Sequence, residues 1–320
     1  MRVLLTGASG FVGRAVQERL LAEGAYRVRC AFRTLPAIVQ SDVEACAAPD
    51  LGPDADWSAA LSGMDAVIHC AARVHVMREQ EADPLQAFRR ANVQGTLQLA
   101  RQAVQAGVRR FVYLSSIKVN GEATQPGQAF HADDKPAAND PYGLSKLEAE
   151  EGLFALARET GLEVVVVRPP LVYGPDVKAN FLSMMRWLHR GIPLPFGAIN
   201  NRRSLVAVAN LADLLAVCLV HPAAAGQRFL VSDGHDLSTS ELLRQLGAAL
   251  GRPARLLPVP QRWLEGGARL LGREDMGRRL CGSLQVDINK TRELLNWHPP
   301  IAVERGLASA AARYLDSQNR

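Results

Sequence analysis

The chain has 320 residues, of which 48% are hydrophobic and 22% are charged, and this balance excludes a largely disordered protein. Its net charge of +5 is small and dispersed along the chain, which argues against nucleic acid as a partner. The sequence contains neither a signal peptide pattern nor an apolar run of the ~18 residues that span a bilayer, so we expect a cytoplasmic protein with no membrane partner.

The first half of the chain alternates short β-branched runs with helical patterns, which is typical of βαβ units and a parallel sheet. We predict strands at 2–6, 26–31, 66–70, 110–114 and 163–168, and helices at 11–22, 84–106 and 142–160. After residue 168, clustered prolines and glycines indicate irregular, site-forming segments. A helix at 210–221, a strand at 228–231 and a helix from a Ser238–Glu241 capping box to residue 250 follow.

Five cysteines are scattered along the chain, and none is paired as CxxC. Several lie in apolar runs, which favours buried thiols over disulfides. Their spacings match no zinc site, so we predict a reducing compartment and no metal.

A glycine motif, Gly7, Gly10 and Gly13, separates the first predicted strand from the first helix. Glycines there let the backbone turn sharply and approach a pyrophosphate, and the helix N-terminus offers it unpaired N–H groups. We therefore predict a dinucleotide site that includes Phe11 and Val12. The GxxGxxG spacing resembles the short-chain dehydrogenase/reductase superfamily, and its extended branch in particular.

That resemblance implies further cofactor contacts. Asp50 and Leu51, after the second strand, match the place where the family reads the adenine ring. Ala71 and Ala72 match a strand end that passes beneath the cofactor. Pro169 belongs to an RPxxxYGP segment that borders the nicotinamide in relatives.

The form of the nicotinamide cofactor stays open between NADP and NAD. NAD-preferring relatives carry an acidic residue at the end of the second strand, and residues 28–33 contain none. Arg33, with Arg14, would instead receive a 2′-phosphate, although both also read as ordinary surface arginines. We slightly prefer NADP.

Tyr142 and Lys146 form a YxxxK pair at the start of a predicted helix, so both lie on one helix face. A phenol with a pKa near ~10 is a poor base at neutral pH, and an adjacent ammonium together with the positive charge of the cofactor would lower that pKa. Tyr142 is thus our candidate acid or base. In the family, the lysine also holds the cofactor ribose.

The predicted strand 110–114 runs into Ser115 and Ser116. The resemblance implies that Ser116 hydrogen-bonds the substrate oxygen that is oxidised or reduced, while Ser115 is structural. The run departs from the family's SSxxVYG, since Lys118 stands where a small or hydroxyl residue is common and Asn120 replaces the tyrosine. Both are expected near the substrate, and we include Lys118 among the substrate contacts.

The remaining motifs resemble the branch that contains UDP-galactose 4-epimerase. Asn180 and Phe181 match an Asn-apolar step that contacts the nucleotide sugar, and Arg203 matches an arginine that grips its diphosphate. Ser204 stands where the family has aspartate, so this is a divergent member. The implied partner is a nucleotide sugar, with UDP preferred, and the family suggests a homodimer.

We predict an α/β fold: a Rossmann-type doubly wound parallel sheet with a smaller, interleaved C-terminal substrate-binding domain. The NAD(P)-binding domain would comprise residues 1–168, with 205–232 returning to it. Residues 169–204 and 233–320 would form the smaller domain.

Our leading hypothesis is a 4-reductase of a UDP-4-keto-6-deoxy-hexosamine in surface polysaccharide synthesis. It is based on the absence of an acidic residue at the end of the second strand, on Arg14 and Arg33, and on the SSIKVNG run at 115–121. The alternative is a UDP-glucose or UDP-N-acetylglucosamine 4-epimerase with retained NAD. A dehydratase is disfavoured because Ile117 and Lys118 occupy the places of its acidic residues. A non-catalytic NAD(P) sensor on the same fold is the alternative of another class.

Overall fold

The computed structural model describes residues 1–318 except 39–40, 75–82, 126, 271 and 273. Its centre is a seven-stranded parallel sheet in the order β3-β2-β1-β4-β5-β6-β9, and β7 and β8 form a second, two-stranded parallel sheet. The strands are β1 (Arg2–Thr6), β2 (Arg27–Phe32), β3 (Val43–Ala47), β4 (Ala66–His69), β5 (Arg110–Leu114), β6 (Glu163–Arg168), β7 (Leu171–Tyr173), β8 (Leu205–Ala207) and β9 (Arg228–Leu230). Because the strand order reverses between β1 and β4, the switch point lies at their carboxyl ends, where such sheets bind ligands. The predicted fold class is confirmed.

Twelve α-helices surround the two sheets in the described part of the chain. They are α1 (Phe11–Glu23), α2 (Ser58–Leu61), α3 (Pro84–Phe88), α4 (Gly95–Gln105), α5 (Pro141–Thr160), α6 (Ala179–His189), α7 (Val208–Val220), α8 (Thr239–Ala249), α9 (Gln261–Leu270), α10 (Glu274–Cys281), α11 (Asn289–Leu295) and α12 (Val303–Gln318). A π-helical stretch, Arg89–Gln94, joins α3 to α4, and 3₁₀ turns occupy Ile117–Val119 and Pro222–Ala224.

Local chemistry explains where the key helices begin and end. Asp140 accepts a hydrogen bond from the Gly143 N–H at 2.9 Å, and Pro141 occupies the first turn, so α5 starts there. It ends at Gly161, in the left-handed region at φ 77°, directly after the predicted helix end at residue 160. The predicted capping box at Ser238 and Glu241 is also present and starts α8.

The main sheet is covered on both faces by separate apolar cores. One core lies beneath α1 and α7 and includes Val16, Leu20 and Leu215. The other lies beneath α4 and α5 and includes Leu99 and Leu153. A third cluster is built from α6, α8 and α12 with β7 and β8, and we refer to these five elements as the smaller lobe.

The sequence missed β3, β7 and β8. Strand β3 reads Val-Glu-Ala-Cys-Ala and lies at the sheet edge, so it lacks the apolar run by which buried strands are recognised. Strand β8 pairs with β7 rather than with the main sheet, whereas α7 packs on the main sheet and β9 joins it. The predicted helix 84–106 is interrupted by the π-helical stretch.

Candidate active site

The loop between β1 and α1 has no space for a side chain at Gly7 or Gly13. Gly7 has φ +72°, and a Cβ there would lie 2.7 Å from the backbone nitrogen of Ala71. A Cβ on Gly13 would lie 2.1 Å from the carbonyl oxygen of Gly7. Both contacts are impossible for other residues, so the glycines hold the backbone in this tight turn.

The N-terminus of α1 opens onto this loop. Its N-cap is Gly10, which supplies no side-chain cap to the first-turn amides of Phe11 and Val12. Uncapped amides and the helix dipole favour an anionic group at this point. The loop therefore fits the pyrophosphate of a dinucleotide, and the contacts of its residues with that group stay a prediction.

A buried histidine forms the floor beside the loop. His69 is fully buried, with Nδ1 2.6 Å from Thr6 Oγ1 and Nε2 3.0 Å from Thr96 Oγ1. Burial, with a smaller contribution from the Lys146 charge, lowers the pKa of His69 to about 3. The imidazole is thus a neutral spacer that fixes the end of β4, from which Ala71 and Ala72 continue.

The predicted adenine and ribose contacts lie around the ends of β2 and β3. Leu51 is half-buried against the α4 side of the sheet, and Asp50 is exposed. Arg14 lines a cavity of about 320 Å³ together with Ser9, Gln17, Phe32 and Thr34. Arg33 is exposed and lies between the lining residues Phe32 and Thr34, and Glu18 also lines the cavity.

Tyr142 and Lys146 lie on the first turns of α5. The Lys146 side chain is buried and donates a hydrogen bond to the Leu114 carbonyl at 2.9 Å. Its Nζ lies 4.5 Å from the Tyr113 ring centroid and 5.9 Å from that of Tyr142. Burial lowers the pKa of Lys146 to about 8.

The Tyr142 phenol is in a protein environment that favours its neutral form. Burial, followed by the Asp140 charge, raises its pKa to about 12. Its ring packs edge-on against Phe88, with centroids 5.9 Å apart. A general base at this position therefore needs additional positive charge close by.

Ser116 follows β5 and begins the turn that contains Lys118. Its Oγ accepts a hydrogen bond from the Lys118 N–H at 3.3 Å, and its side chain is half-buried. Ser115 is buried and donates a hydrogen bond to Glu150 at 2.5 Å. A Cβ on Gly143 would lie 3.0 Å from the Lys118 carbonyl oxygen, so the turn after Ser116 packs directly on the first turn of α5.

Asn120, which the sequence places near the substrate, has its side-chain amide bound inside the protein. Its side chain is 2% exposed, donates to the His131 carbonyl at 2.9 Å and accepts from Arg168 Nη1 at 2.9 Å. Both of its amide groups are thus used inside the protein. Lys118, predicted to contact the substrate, pairs with Asp140 at 2.5 Å.

Arg168 belongs to a buried ion pair behind the site. Its guanidinium contacts both carboxylate oxygens of Glu150, the closest at 2.5 Å, and both side chains are about 1% exposed. The same carboxylate accepts the Ser115 hydroxyl. The pair therefore ties α5 to the ends of β5 and β6, and Pro169 continues the chain, with its carbonyl accepting the Ile117 N–H at 3.0 Å.

The sequence reasoning missed Asn92. It lies in the π-helical stretch, where its amide accepts the Arg73 N–H at 2.8 Å and donates to the Arg73 carbonyl and the Ser145 hydroxyl, each at 3.0 Å. It thereby fixes the segment after β4 to the helix that carries Tyr142. A polar residue inside an otherwise helical pattern was the only signal for it.

The predicted substrate residues lie in the smaller lobe. Asn180 is exposed on α6, whereas the Phe181 side chain is 2% exposed and stacks on Tyr173 at 5.5 Å. Phe181 can therefore present only its backbone to a ligand. Arg203 is half-buried, and its Nη1 donates to the Gly282 carbonyl at 3.0 Å.

The described residues contain neither a membrane-spanning helix nor a metal-binding cluster. In that part of the chain no helix is long and apolar enough to cross a membrane. The same residues include no group of three His, Cys, Asp or Glu side chains arranged to hold a metal ion.

Comparisons with known proteins agree with this architecture. Residues 3–232 match the NAD dependent epimerase/dehydratase family. The chain is 47% identical over 319 residues to the UDP-glucose 4-epimerase of Vibrio cholerae, covering 99% of this chain and 97% of that protein. It is 30% identical to the UDP-glucose 4-epimerase of Mycolicibacterium smegmatis, over 96% of each chain. The structure of UDP-glucuronic acid 4-epimerase from Bacillus cereus in complex with NAD has the same fold, with a TM-score of 0.79 at 20% identity over 99% of both chains.

Proposed function

The chain belongs to the NAD dependent epimerase/dehydratase family, and from that membership we propose that it is a 4-epimerase of a UDP-hexose that keeps its NAD bound between turnovers. The family makes it an NAD(P)-dependent enzyme of the extended short-chain dehydrogenase type. The epimerase reading is carried by the match to the Vibrio cholerae protein, which extends over nearly the whole of both chains at 47% identity.

The glycine loop, with Tyr142 and Lys146, would hold the dinucleotide, whose nicotinamide would supply reversible hydride transfer at the sugar C4. The residues of this chain transfer the proton and hydrogen-bond the substrate oxygen. Tyr142 takes the proton from the substrate O4 and later returns it, and Ser116 hydrogen-bonds the same oxygen. Lys146 supplies a positive charge 5.9 Å from the Tyr142 ring, which favours the phenolate that this step needs.

The smaller lobe is proposed to bind the diphosphate of the nucleotide sugar. Arg203 is the proposed diphosphate residue, because its guanidinium is half-buried and presents planar donors that match two phosphate oxygens. Asn180 and the backbone of Phe181 are proposed to contact the nucleotide sugar. Asp50, Leu51, Ala71, Ala72 and Pro169 remain proposed cofactor contacts.

The 4-reductase is kept as the second candidate. The comparisons give it no specific support, but the cavity at the end of β2 does. Arg14 lines that cavity, and the end of β2 carries no carboxylate. Although Glu18 also lines this cavity, an arginine beside a strand end that carries no acid suits the 2′-phosphate of NADP, which an enzyme that exchanges its cofactor would use.

The two candidates differ in what they consume. The purified protein is incubated with UDP-glucose or UDP-N-acetylglucosamine without added cofactor. The products are then identified by nuclear magnetic resonance. We expect interconversion with the matching 4-epimer, and we expect Tyr142→Phe to abolish it. Product formation that requires one equivalent of NADPH and a 4-keto sugar would reject the epimerase and support the reductase.

A further inference from the structure

An ion pair stands at the start of the helix that carries Tyr142. Lys118 Nζ lies 2.5 Å from Asp140 Oδ2, and the two side chains are 26% and 17% exposed. The other oxygen of Asp140 accepts the Gly143 N–H at 2.9 Å. The carboxylate is thus fixed two residues before Tyr142 and cannot rotate away without uncapping α5.

Other charged and titratable groups contact Tyr142, Lys118 or the direct neighbours of Tyr142. Lys146 approaches it from the same helix, and Tyr113 lies behind Lys146 on β5. Glu122 lies 3.9 Å from Lys118 in the segment after Ser116. Arg73, after β4, lies 5.7 Å from the ring of Phe88, which packs on Tyr142. Asp140 is the acid fixed closest to Tyr142 in sequence, and Lys118 is its partner.

We propose that Lys118 is a positioning residue for acid–base chemistry: by pairing with Asp140, it prevents that fixed carboxylate from acting as an unbalanced negative charge beside Tyr142. This rests on the proposed role of Tyr142 but not on which sugar is the substrate. An unpaired anion close to a phenol disfavours the phenolate, and a half-buried site screens it only partly. The ammonium converts that anion into a local dipole, whose field falls off faster.

The sign of the effect follows from the structure. Asp140 raises the pKa of Tyr142, so any change that strengthens its field raises that pKa further. Removing the Lys118 charge has this result, and removing the Asp140 charge has the opposite one. Removing both should leave the phenol close to its original balance.

The test uses Lys118→Met with Lys118→Arg as the charge-preserving variant. We expect Lys118→Met to move the ascending limb of the kcat–pH profile to higher pH by about 0.5–1 unit, with little change in KM. Lys118→Arg should retain the native profile. Lys290→Met is the matched control, because Lys290 is 24% exposed and pairs with Asp133 at 2.7 Å, outside the site.

A second readout does not depend on turnover. Protein labelled with ¹³C at the tyrosine ζ carbons and loaded with NAD is titrated, and the Tyr142 signal is identified by its loss in Tyr142→Phe. Lys118→Met should raise the Tyr142 pKa by the same amount as in the kinetic profile. The double variant Lys118→Met, Asp140→Asn should bring it back towards the native value.

Three outcomes would overturn the proposal. A higher KM with an unmoved pH profile would make Lys118 a substrate contact. A lower melting temperature with an unmoved tyrosine titration would make the pair purely structural. A double variant that shifts as far as Lys118→Met would show that Asp140 is not the source of the field. Failure to epimerise any sugar would reject the proposed function and leave the tyrosine titration valid.

Discussion

At the scale of single residues, His69 shows how burial determines a protonation state. The folded protein holds the pKa of His69 at about 3, against an unperturbed value of about 6.5. Above pH 6.5 both the folded and the unfolded chain carry a neutral imidazole, so the histidine adds no pH dependence there. Below it, only the unfolded chain takes up the proton, and stability is lost progressively down to about pH 3.

We therefore predict that the folded protein loses about 1.4 kcal/mol of stability through His69 between pH 7.5 and pH 5.5. His69→Gln preserves groups that can hydrogen-bond Thr6 and Thr96 but has no titrating ring. Urea unfolding of both proteins at both pH values measures the difference. Equal losses in the two proteins would show that His69 is protonated in the fold.

Arg14 and Arg33 illustrate what sequence can and cannot separate. The sequence offers Arg33 together with Arg14 for a 2′-phosphate, and only the tertiary structure shows that Arg14 lines the cavity at the end of β2. We predict that Arg14→Met weakens NADP binding about 10-fold and NAD binding less than about 3-fold, measured by calorimetry. Arg33→Met is the matched control. A larger NADP loss in Arg33→Met would place the phosphate at Arg33 instead.

At the scale of secondary-structure elements, the Glu150–Arg168 pair connects α5 to the strands that carry the site. Removing the charge of Glu150 leaves the Arg168 guanidinium buried without its carboxylate. We predict that Glu150→Gln destabilises the fold by about 3–5 kcal/mol in urea unfolding. Glu151→Gln, at an exposed position one residue further along α5, should change stability by less than about 0.5 kcal/mol. A loss below about 1 kcal/mol in Glu150→Gln would mean that Arg168 finds another partner.

Most elements could be predicted from the sequence because their signals are local. The capping box of α8, the glycine that ends α5 and the apolar runs of β1, β4, β5 and β6 are all contained in a few consecutive residues. The partners of Asn120 and Lys118 could not be predicted, since Arg168, His131 and Asp140 reach them only through the tertiary fold. Spacing identified Tyr142, Lys146 and Ser116, but not the network that holds them.

At the scale of the whole molecule, we propose that the site draws on both lobes. The glycine loop, Tyr142 and Ser116 belong to the main sheet, while Arg203 and α6 belong to the smaller lobe. A ligand that bridges the lobes should stabilise the protein according to its concentration relative to Kd, by about 2.7 kcal/mol at 100 times Kd. The homodimer stays a prediction that sedimentation can test.

We predict that saturating UDP raises the melting temperature of the native protein by several degrees and that Arg203→Met loses most of this gain. The protection by NAD should persist in the same variant. Arg202→Met, which removes an exposed neighbour, should keep both effects. Undiminished protection by UDP in Arg203→Met would remove Arg203 from the diphosphate site.

The π-helical stretch between α3 and α4 has a consequence for how this segment tolerates change in length. A π turn holds about one residue more than an α turn, so it rotates everything after it by about 100° around the helix axis. This offset lets Asn92 point to Ser145 while Leu99 still faces the sheet. A one-residue deletion there would restore regular α-helical winding. Either Asn92 would then turn away from Ser145, or the apolar face of α4 would turn away from the sheet.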